Sequence, residues 1–192
     1  MSKIALTPNA SGTGVFTIAA PNTSTDRTLT LPDSTGTIDT LGRAGNVLQV
    51  VSAEFTSQFS TTSTSLVDSG FSASITPSSA SNKILVIITV PFLRVQGGAS
   101  GSSAGAGIAI SNGAGTILYD AQRDGGGVLD DWTEASGSTV RGAVITKQML
   151  HSPNTTSSYT YKVYAAQRNG GDIRLNFSNS SKTVITLMEI AA

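Results

Sequence analysis

The sequence predicts an all-β protein in which a short, strand-rich N-terminal region precedes an antiparallel β-sandwich of the jelly-roll kind. Val, Ile and Thr cluster in short runs, and Gly, Pro, Asn and Ser signals separate those runs. Several runs alternate polar and apolar residues with a period of two, most clearly residues 159–164 and 173–177. No segment shows a convincing helical period. Many short strands at this spacing are typical of a sandwich or jelly roll.

Composition narrows the classes of function. Of the 192 residues only 12% are charged, and the formal net charge is +0. Nucleic-acid binding normally needs a basic face and peripheral membrane binding a polybasic patch, so neither is expected. The chain is 39% hydrophobic, which argues against disorder despite its high Ser and Thr content. It has no cysteine, so its stability cannot come from disulfides, and oligomerisation is the expected substitute.

Neither a secretory signal nor a membrane-spanning segment is visible in the sequence. We therefore expect synthesis in a cytoplasm and release by cell lysis, without membrane insertion.

The N-terminal region, residues 1–48, holds two short alternating segments at 15–19 and 28–31, interrupted by Pro21 and Pro32. Strands this short cannot bury a core alone. We expect them to find partners in other subunits or particle proteins and to form an attachment and stem region. The apolar residues predicted to make those contacts are Val15, Phe16, Ile18, Leu29, Leu31 and Ile38.

Residues 49–192 are predicted to form the head. The strands are expected at 49–55, 64–71, 71–76, 83–95, 106–111, 116–123, 139–150, 158–167, 173–176 and 183–190. The Asn112-Gly113 and Asn169-Gly170 pairs suit hairpins with positive backbone angles. The last strand is apolar almost to the final residue, which predicts a central or interface position, because free chain ends usually fray.

Two Gly-rich segments are the candidate contact loops. Segment 97–107 has no bulky side chain, and it is read either as a flexible surface loop or as a tip or inter-subunit contact. Segment 124–132 combines three glycines, two adjacent carboxylates and the single Trp. The predicted host-contact residues are Gly97, Ser100, Ser103, Gly107, Asp124, Asp130, Asp131 and Trp132. Trp132 with Tyr119 suits either a sugar-stacking platform or a structural anchor.

Catalysis, metals and cofactors are not expected. His151 is the only histidine, it is placed at a turn, and no Gly-x-Ser-x-Gly elbow accompanies it. Asp120 with the acidic residues of segment 124–132 matches no EF-hand spacing, so a solvated acidic loop is preferred over a calcium site. A sugar-cleaving enzyme would need paired carboxylates across a cleft, whereas Asp130 and Asp131 are neighbours that point to opposite faces of a strand.

The amino-acid sequences of several segments resemble those of tail-fibre and related virion proteins of aquatic bacteriophages (marine or cyanobacterial). The resemblance lies in residues 14–21 and 27–38 at the N-terminus, and in 71–86, 159–163 and 183–190 in the head. It implies a homotrimeric virion fibre or spike with one end anchored to the tail, collar or capsid, and a distal β-domain that meets a host glycan or protein.

This chain has almost no shaft, unlike long fibres. The first hypothesis is therefore a short trimeric tail fibre or spike used for host adsorption. The alternative is a capsid cement or decoration protein, also called a head fibre, whose N-terminal strands would augment capsid sheets.

Overall fold

A computed structural model describes residues 11–15, 17, 19, 22–26, 28, 43–97, 105–120, 140–168, 171–176 and 181–192. The chain divides into two compact units, residues Met1–Ile38 and Asp39–Ala192. In the first unit Val15 is 91% exposed. The Thr25 backbone N–H there donates to Thr23 Oγ1 over 3.2 Å. The described residues at the two predicted N-terminal strands, namely 15, 17, 19 and 28, belong to no strand.

In the described part of the second unit, β-strands are the only regular secondary structure, and all of their ladders are antiparallel. The ten strands are β1 (Val47–Phe55), β2 (Phe59–Thr61), β3 (Val67–Ile75), β4 (Lys83–Gly97), β5 (Gly105–Asn112), β6 (Ile117–Asp120), β7 (Val140–His151), β8 (Tyr159–Arg168), β9 (Gly171–Leu175) and β10 (Thr183–Ile190). The all-β antiparallel prediction is confirmed.

The strands form two sheets with jelly-roll order. The six-stranded sheet runs β1-β10-β4-β9-β2, with β7 on the other side of β4, and the four-stranded sheet runs β3-β8-β5-β6. Without the short β2 and β9, two four-stranded layers remain, β1-β10-β4-β7 and β3-β8-β5-β6. Eight strands shared between two sheets in this way make a jelly roll.

The core lies between the sheets and follows from strand alternation. In β4, Ile84, Val86 and Ile88 are buried. The intervening Leu85 and Ile87 point away from the four-stranded sheet and are only half-buried. The buried apolar side chains of the other strands include Phe71, Ile75, Ile108, Ile110, Tyr161, Val163, Ile173, Leu175, Ile185 and Leu187. Phe55 also stacks on Phe71, with ring centroids 4.9 Å apart.

β4 changes partner along its length, and Pro91 lies at the change. Residues 83–89 pair with β10, whereas residues 93–97 pair with β9. The ladder to β7 is irregular between Val90 and Leu93. A proline has no N–H to donate, so the point where one partner ends and the next begins tolerates it.

Most strands lie where the sequence predicts them, and the differences have local causes. The two strands predicted at 64–71 and 71–76 are one strand, β3, with an irregular ladder between Asp68 and Ser72 and a positive φ of 78° at Gly70. The irregularity is a bulge. It interrupts the alternation of side chains, so the sequence pattern predicts two strands where there is one. β2 was not predicted, because three residues are too few to show a period.

The β5–β6 hairpin forms as predicted, but its positive backbone angle is not at the Asn112-Gly113 pair. Gly115 carries it instead, with φ 88°, and the Gly115 N–H donates to the Asn112 carbonyl over 3.0 Å. The Thr116 N–H donates to Asn112 Oδ1 over 2.8 Å. In hairpin loops of more than two residues, the residue with positive φ often stands at the end of the loop, next to a bulge. The register shift between Ile110 and Ser111 in the β5–β6 ladder is such an irregularity. The predicted Asn169-Gly170 turn lies outside the described residues.

β10 is a central strand, as its composition predicts. It pairs with β1 on one side and β4 on the other, and Thr183, Ile185, Leu187 and Glu189 are buried. The residues after β10 are held in place as well. The Gly45 N–H donates to the Ala191 carbonyl over 2.8 Å, and the Ala191 N–H donates to the Asn46 carbonyl over 2.9 Å.

Candidate functional site

The two ends of the sandwich differ in what they carry. At one end, here called the entry end, the chain enters β1 at Val47, which pairs with Ile190, and Ile190 pairs with Lys83. His151, which ends β7, pairs with Ile84 at this same end. Because the strands are antiparallel, the entry end also holds the turns at 77–82 and 152–158.

Described residues next to the predicted contact segments, 97–107 and 124–132, mark the opposite end, here called the loop end. Gly97 pairs with Gly171, Gln96 with Val140, and Gly105 with Arg168. Segment 98–104 is therefore bounded at both sides by residues of the loop end, and segment 121–139 leads into β7 there. The head thus receives the chain at one end, and Gly97, Gly105 and Val140, which border these segments, lie at the other.

Of the predicted contact residues, the structure describes two. Gly97 is the last residue of β4, and Gly107 lies within β5, where it is buried and paired with Ala166. Gly107 is therefore a strand residue and not a loop residue. Six others lie outside the described residues: Ser100, Ser103, Asp124, Asp130, Asp131 and Trp132.

Among the predicted attachment residues, Val15 is described and exposed. Phe16, Ile18, Leu29, Leu31 and Ile38 lie outside the described residues. Tyr119, the partner suggested for Trp132, is 37% exposed on β6, and Lys147 Nζ lies 5.5 Å from its ring centroid.

His151 belongs to an aromatic cluster that joins the two sheets at the entry end. Its Nδ1 shares a hydrogen bond of 2.9 Å with the hydroxyl of Tyr161, a fully buried residue of the four-stranded sheet. The ring also lies 5.3 Å from that of Tyr159, centroid to centroid. Burial lowers the pKa of His151, and burial together with Tyr159 raises the pKa of Tyr161. The cluster packs and bridges the two layers.

Glu189 is a buried carboxylate held by neutral donors. Its side chain, 1% exposed, accepts hydrogen bonds from Gln49 Nε2 at 2.6 Å, Asn82 Nδ2 at 2.6 Å, the Ser78 N–H at 2.7 Å and Ser78 Oγ at 2.8 Å. Burial raises the pKa of this carboxyl, but hydrogen bonds from Asn82, Gln49 and Ser78 outweigh burial and bring the pKa to about 2. The carboxylate therefore fastens β1 and the 77–82 turn to β10.

Sequence reasoning missed Glu189, although a signal was present. The alternation that puts Ile185 and Leu187 on the inner face of β10 puts residue 189 on that face too. An acidic residue at an inward position predicts a cluster of donors around it.

A shallow polar depression of about 540 Å³ lies on β2 and β9. It is lined by Ser60, Thr61, Thr62, Asp172 and Arg174. Arg174 Nε contacts Asp172 Oδ2 at 2.6 Å, so an internal ion pair occupies part of its polar lining. Sequence reasoning did not find this place, because β2 itself was not predicted.

Within the described residues, His, Asp and Glu side chains form no group of three that could hold a metal ion. The same part of the chain contains no helix long and apolar enough to cross a membrane.

The fold and these sites define a jelly-roll β-sandwich protein preceded by a small N-terminal unit. No protein-family model matches the chain, and the search of curated proteins finds no significant match.

Among solved structures, the chain is similar to the VP2 subviral particle of infectious bursal disease virus. The TM-score is 0.35 and the identity 12%, over 77% of this chain and 39% of that one. It is also similar to the structure of the Gx strain of the same virus, with TM-score 0.32 and identity 15%, over 75% of this chain and 36% of that one. The chain thus spans less than two-fifths of either structure, and scores this low carry no argument about function.

Proposed function

We propose that this chain is a virion structural protein, the subunit of a short trimeric bacteriophage tail fibre or spike. In this proposal residues 1–48 attach it to the particle and form a stem, and the sandwich presents its loop end to the host surface. It binds and does not catalyse. It is assembled in the host cytoplasm, is released by lysis and acts as part of the virion.

The observation that carries the proposal is the polarity of the sandwich. The chain enters at Val47, and the Gly-rich segment 98–104 is bounded by Gly97 and Gly105 at the opposite end. A head anchored through its N-terminal side needs its contact loops away from the anchor. The resemblance of the sequence to virion fibre proteins supports the same arrangement.

Incorporation into particles tests the attachment role. We expect a chain lacking residues 1–38 to remain folded but to be absent from virions purified from the producing host, while the full chain is incorporated. A matched control carries Ser74→Ala on an exposed strand position of the head and should be incorporated normally. Normal incorporation of the shortened chain would contradict the proposal.

The runner-up function is capsid decoration, in which the N-terminal segments would add strands to capsid sheets. The exposure of Val15 favours capsid decoration and a fibre stem equally, since in either function another protein chain would cover that side chain. The copy number per virion, measured by quantitative mass spectrometry, separates the two. A number that matches the capsid subunits indicates decoration, and a number that matches a few appendages indicates fibres or spikes.

A further inference from the structure

Strand β7 forms a long edge of the six-stranded sheet. It has twelve residues, and in the described part of the chain it pairs with β4 and with no other strand. Its ladder with β4 runs without a break from His151 to Ile145. At the irregularity that follows, the extra residue belongs to β4, so β7 itself continues regularly. Such an edge presents a row of backbone N–H and C=O groups with which a strand of another chain can pair.

The other edges of the two sheets are short or irregular. β2 has three residues and β6 has four. β3 is interrupted by the bulge between Asp68 and Ser72, and the β1–β10 ladder is irregular between Val47 and Gln49. Short edges and bulges are two devices that keep sheet edges from pairing with other chains. β7 has neither of them.

Lys147 occupies an inward position on β7. Opposite it on β4 lies Ile88, which is 1% exposed, and residues opposite each other in a ladder share one face of the sheet. The neighbours of Lys147 on that face are Ile145, which is buried in the core, and Met149, which packs against the core. The two-residue alternation therefore makes 147 a position for an apolar residue, and a lysine stands there instead.

The side chain of Lys147 bridges the open side of the sandwich. It is half-buried, and its Nζ lies 5.5 Å from the ring centroid of Tyr119. Tyr119 belongs to β6, the edge strand of the four-stranded sheet, and pairs there with the buried Ile110. The ring face attracts the cation. A lysine in this place buries its carbon chain between the sheets and keeps its ammonium at the rim, where water reaches it past the edge of β7.

We propose that Lys147 keeps the edge of β7 from pairing with a strand of a second copy of this chain. A strand added beside β7 would cover the side through which water reaches the ammonium. The charge would then be enclosed between two sheets without a counter-ion, which is costly. Inward-pointing charges on edge strands oppose edge-to-edge pairing in this way. The inference goes beyond the proposed function and does not depend on it.

The composition of β7 makes this charge necessary. Lys147 is the only charged residue in the segment 142–150, which also contains no proline. On the outer face of the same segment, Val144 is 67% exposed and Leu150 55%. Short segments with high β-propensity, low charge and no proline are those that stack into intermolecular sheets, and a single charge within such a segment opposes stacking. Without Lys147, β7 would combine this composition with a long regular edge.

The first test removes the charge and keeps the approximate length of the side chain. Solution masses of the full chain and its variants are measured by light scattering at several concentrations. Lys147→Met should associate as the concentration rises and reach a mass at least about twofold above that of the wild type at the same concentration. Lys147→Arg keeps the charge and should retain the wild-type mass at every concentration.

A matched control separates the position from the side chain introduced. Gln148→Met places the same side chain one residue later, on the exposed outer face, and leaves Lys147 unchanged. It should retain the wild-type mass. Urea unfolding checks that association begins from folded protein, and the midpoint of Lys147→Met should be close to that of the wild type. If Lys147→Met does not fold, Lys147→Gln takes its place and should also associate, because a neutral amide is far less costly to enclose than an ammonium.

Hydrogen exchange then locates the contact. In associated Lys147→Met we expect the amides of β7 to exchange at least about tenfold slower than in the wild type, because N–H groups on its free edge become paired. The amides of β1, the edge strand beyond β10, should be unchanged. A folded variant without the charge that keeps the wild-type mass at every concentration would overturn the proposal. Association without slower exchange in β7 would overturn it as well.

Discussion

At the scale of single residues, Glu189 shows how a buried charge is held without a counter-ion. Four hydrogen bonds from Gln49, Asn82 and Ser78 replace its hydration, and three separate parts of the chain are tied together as a result. The side chain is buried, so leaving its donors without an acceptor is expensive.

We predict that Glu189→Gln destabilises the protein by roughly 2–3 kcal/mol at pH 7, because one amide cannot accept from all these donors. The folded pKa of about 2 lies below the ordinary 4.5, so the carboxylate's contribution is complete above pH 4.5 and is lost as the pH falls towards 2. The difference in the free energy of unfolding between wild type and variant, measured in urea, should become smaller as the pH falls from 4.5 to about 2. The exposed, ion-paired Glu54→Gln should change stability by less than about 1 kcal/mol.

His151 is the second residue with a pH signature. Burial lowers its folded pKa below the ordinary 6.5, so the unfolded chain binds this proton more readily than the folded chain does. We predict that stability falls as the pH drops from about 7.5 to about 5.5, and that His151→Gln removes most of this dependence. Urea midpoints at the two pH values measure it. Because the chain has one histidine, an unchanged pH dependence in the variant would disprove the assignment.

At the scale of the element, β10 shows the value of a central strand. It carries the inner-face residues Ile185 and Leu187 between β1 and β4, and its outward residues are half-buried. The apolar composition of the last ten residues predicted this position, and the structure confirms it.

We predict that Leu187→Ala lowers the free energy of unfolding by about 3 kcal/mol or more, because Leu187 is fully buried and its removal leaves a cavity. Thr186→Ala, one position earlier and on the outer face, should cost less than about 1 kcal/mol. Chemical denaturation of both variants makes the comparison. Equal losses would show that the core does not lie on the Leu187 face of β10.

At the scale of the whole molecule, the division into two units determines where the chain can be cut. Residues 43–46 belong with the sandwich, since Gly45 and Asn46 hydrogen-bond with Ala191, and β1 begins at Val47. The head predicted to begin at residue 49 therefore lacks residues that the sandwich uses.

We predict that a chain of residues 39–192 folds with an unfolding midpoint close to that of the head in the full protein. A chain of residues 49–192 should be less stable by roughly 1–3 kcal/mol, because it loses two backbone hydrogen bonds to Ala191 and the first two residues of β1. Thermal unfolding followed by circular dichroism compares them. Identical midpoints would show that residues 39–48 contribute nothing to the sandwich.

The all-β class, the positions of most strands and the central place of β10 can be predicted from the sequence, because alternation and turn residues are local signals. It could not locate β2, which is too short to show a period, or the bulge in β3, whose cause is the pairing with β8.

Which residues share a site depends on the tertiary structure. The Glu189 cluster and the His151–Tyr161 bridge join residues that are far apart in the chain. Strand order and register bring these side chains together. The two-residue alternation in the sequence indicates which face of a strand a residue occupies, but not which strand lies beside it. The same topology places Val47, where the chain enters the sandwich, and the pair Gly97 and Gly105 at opposite ends.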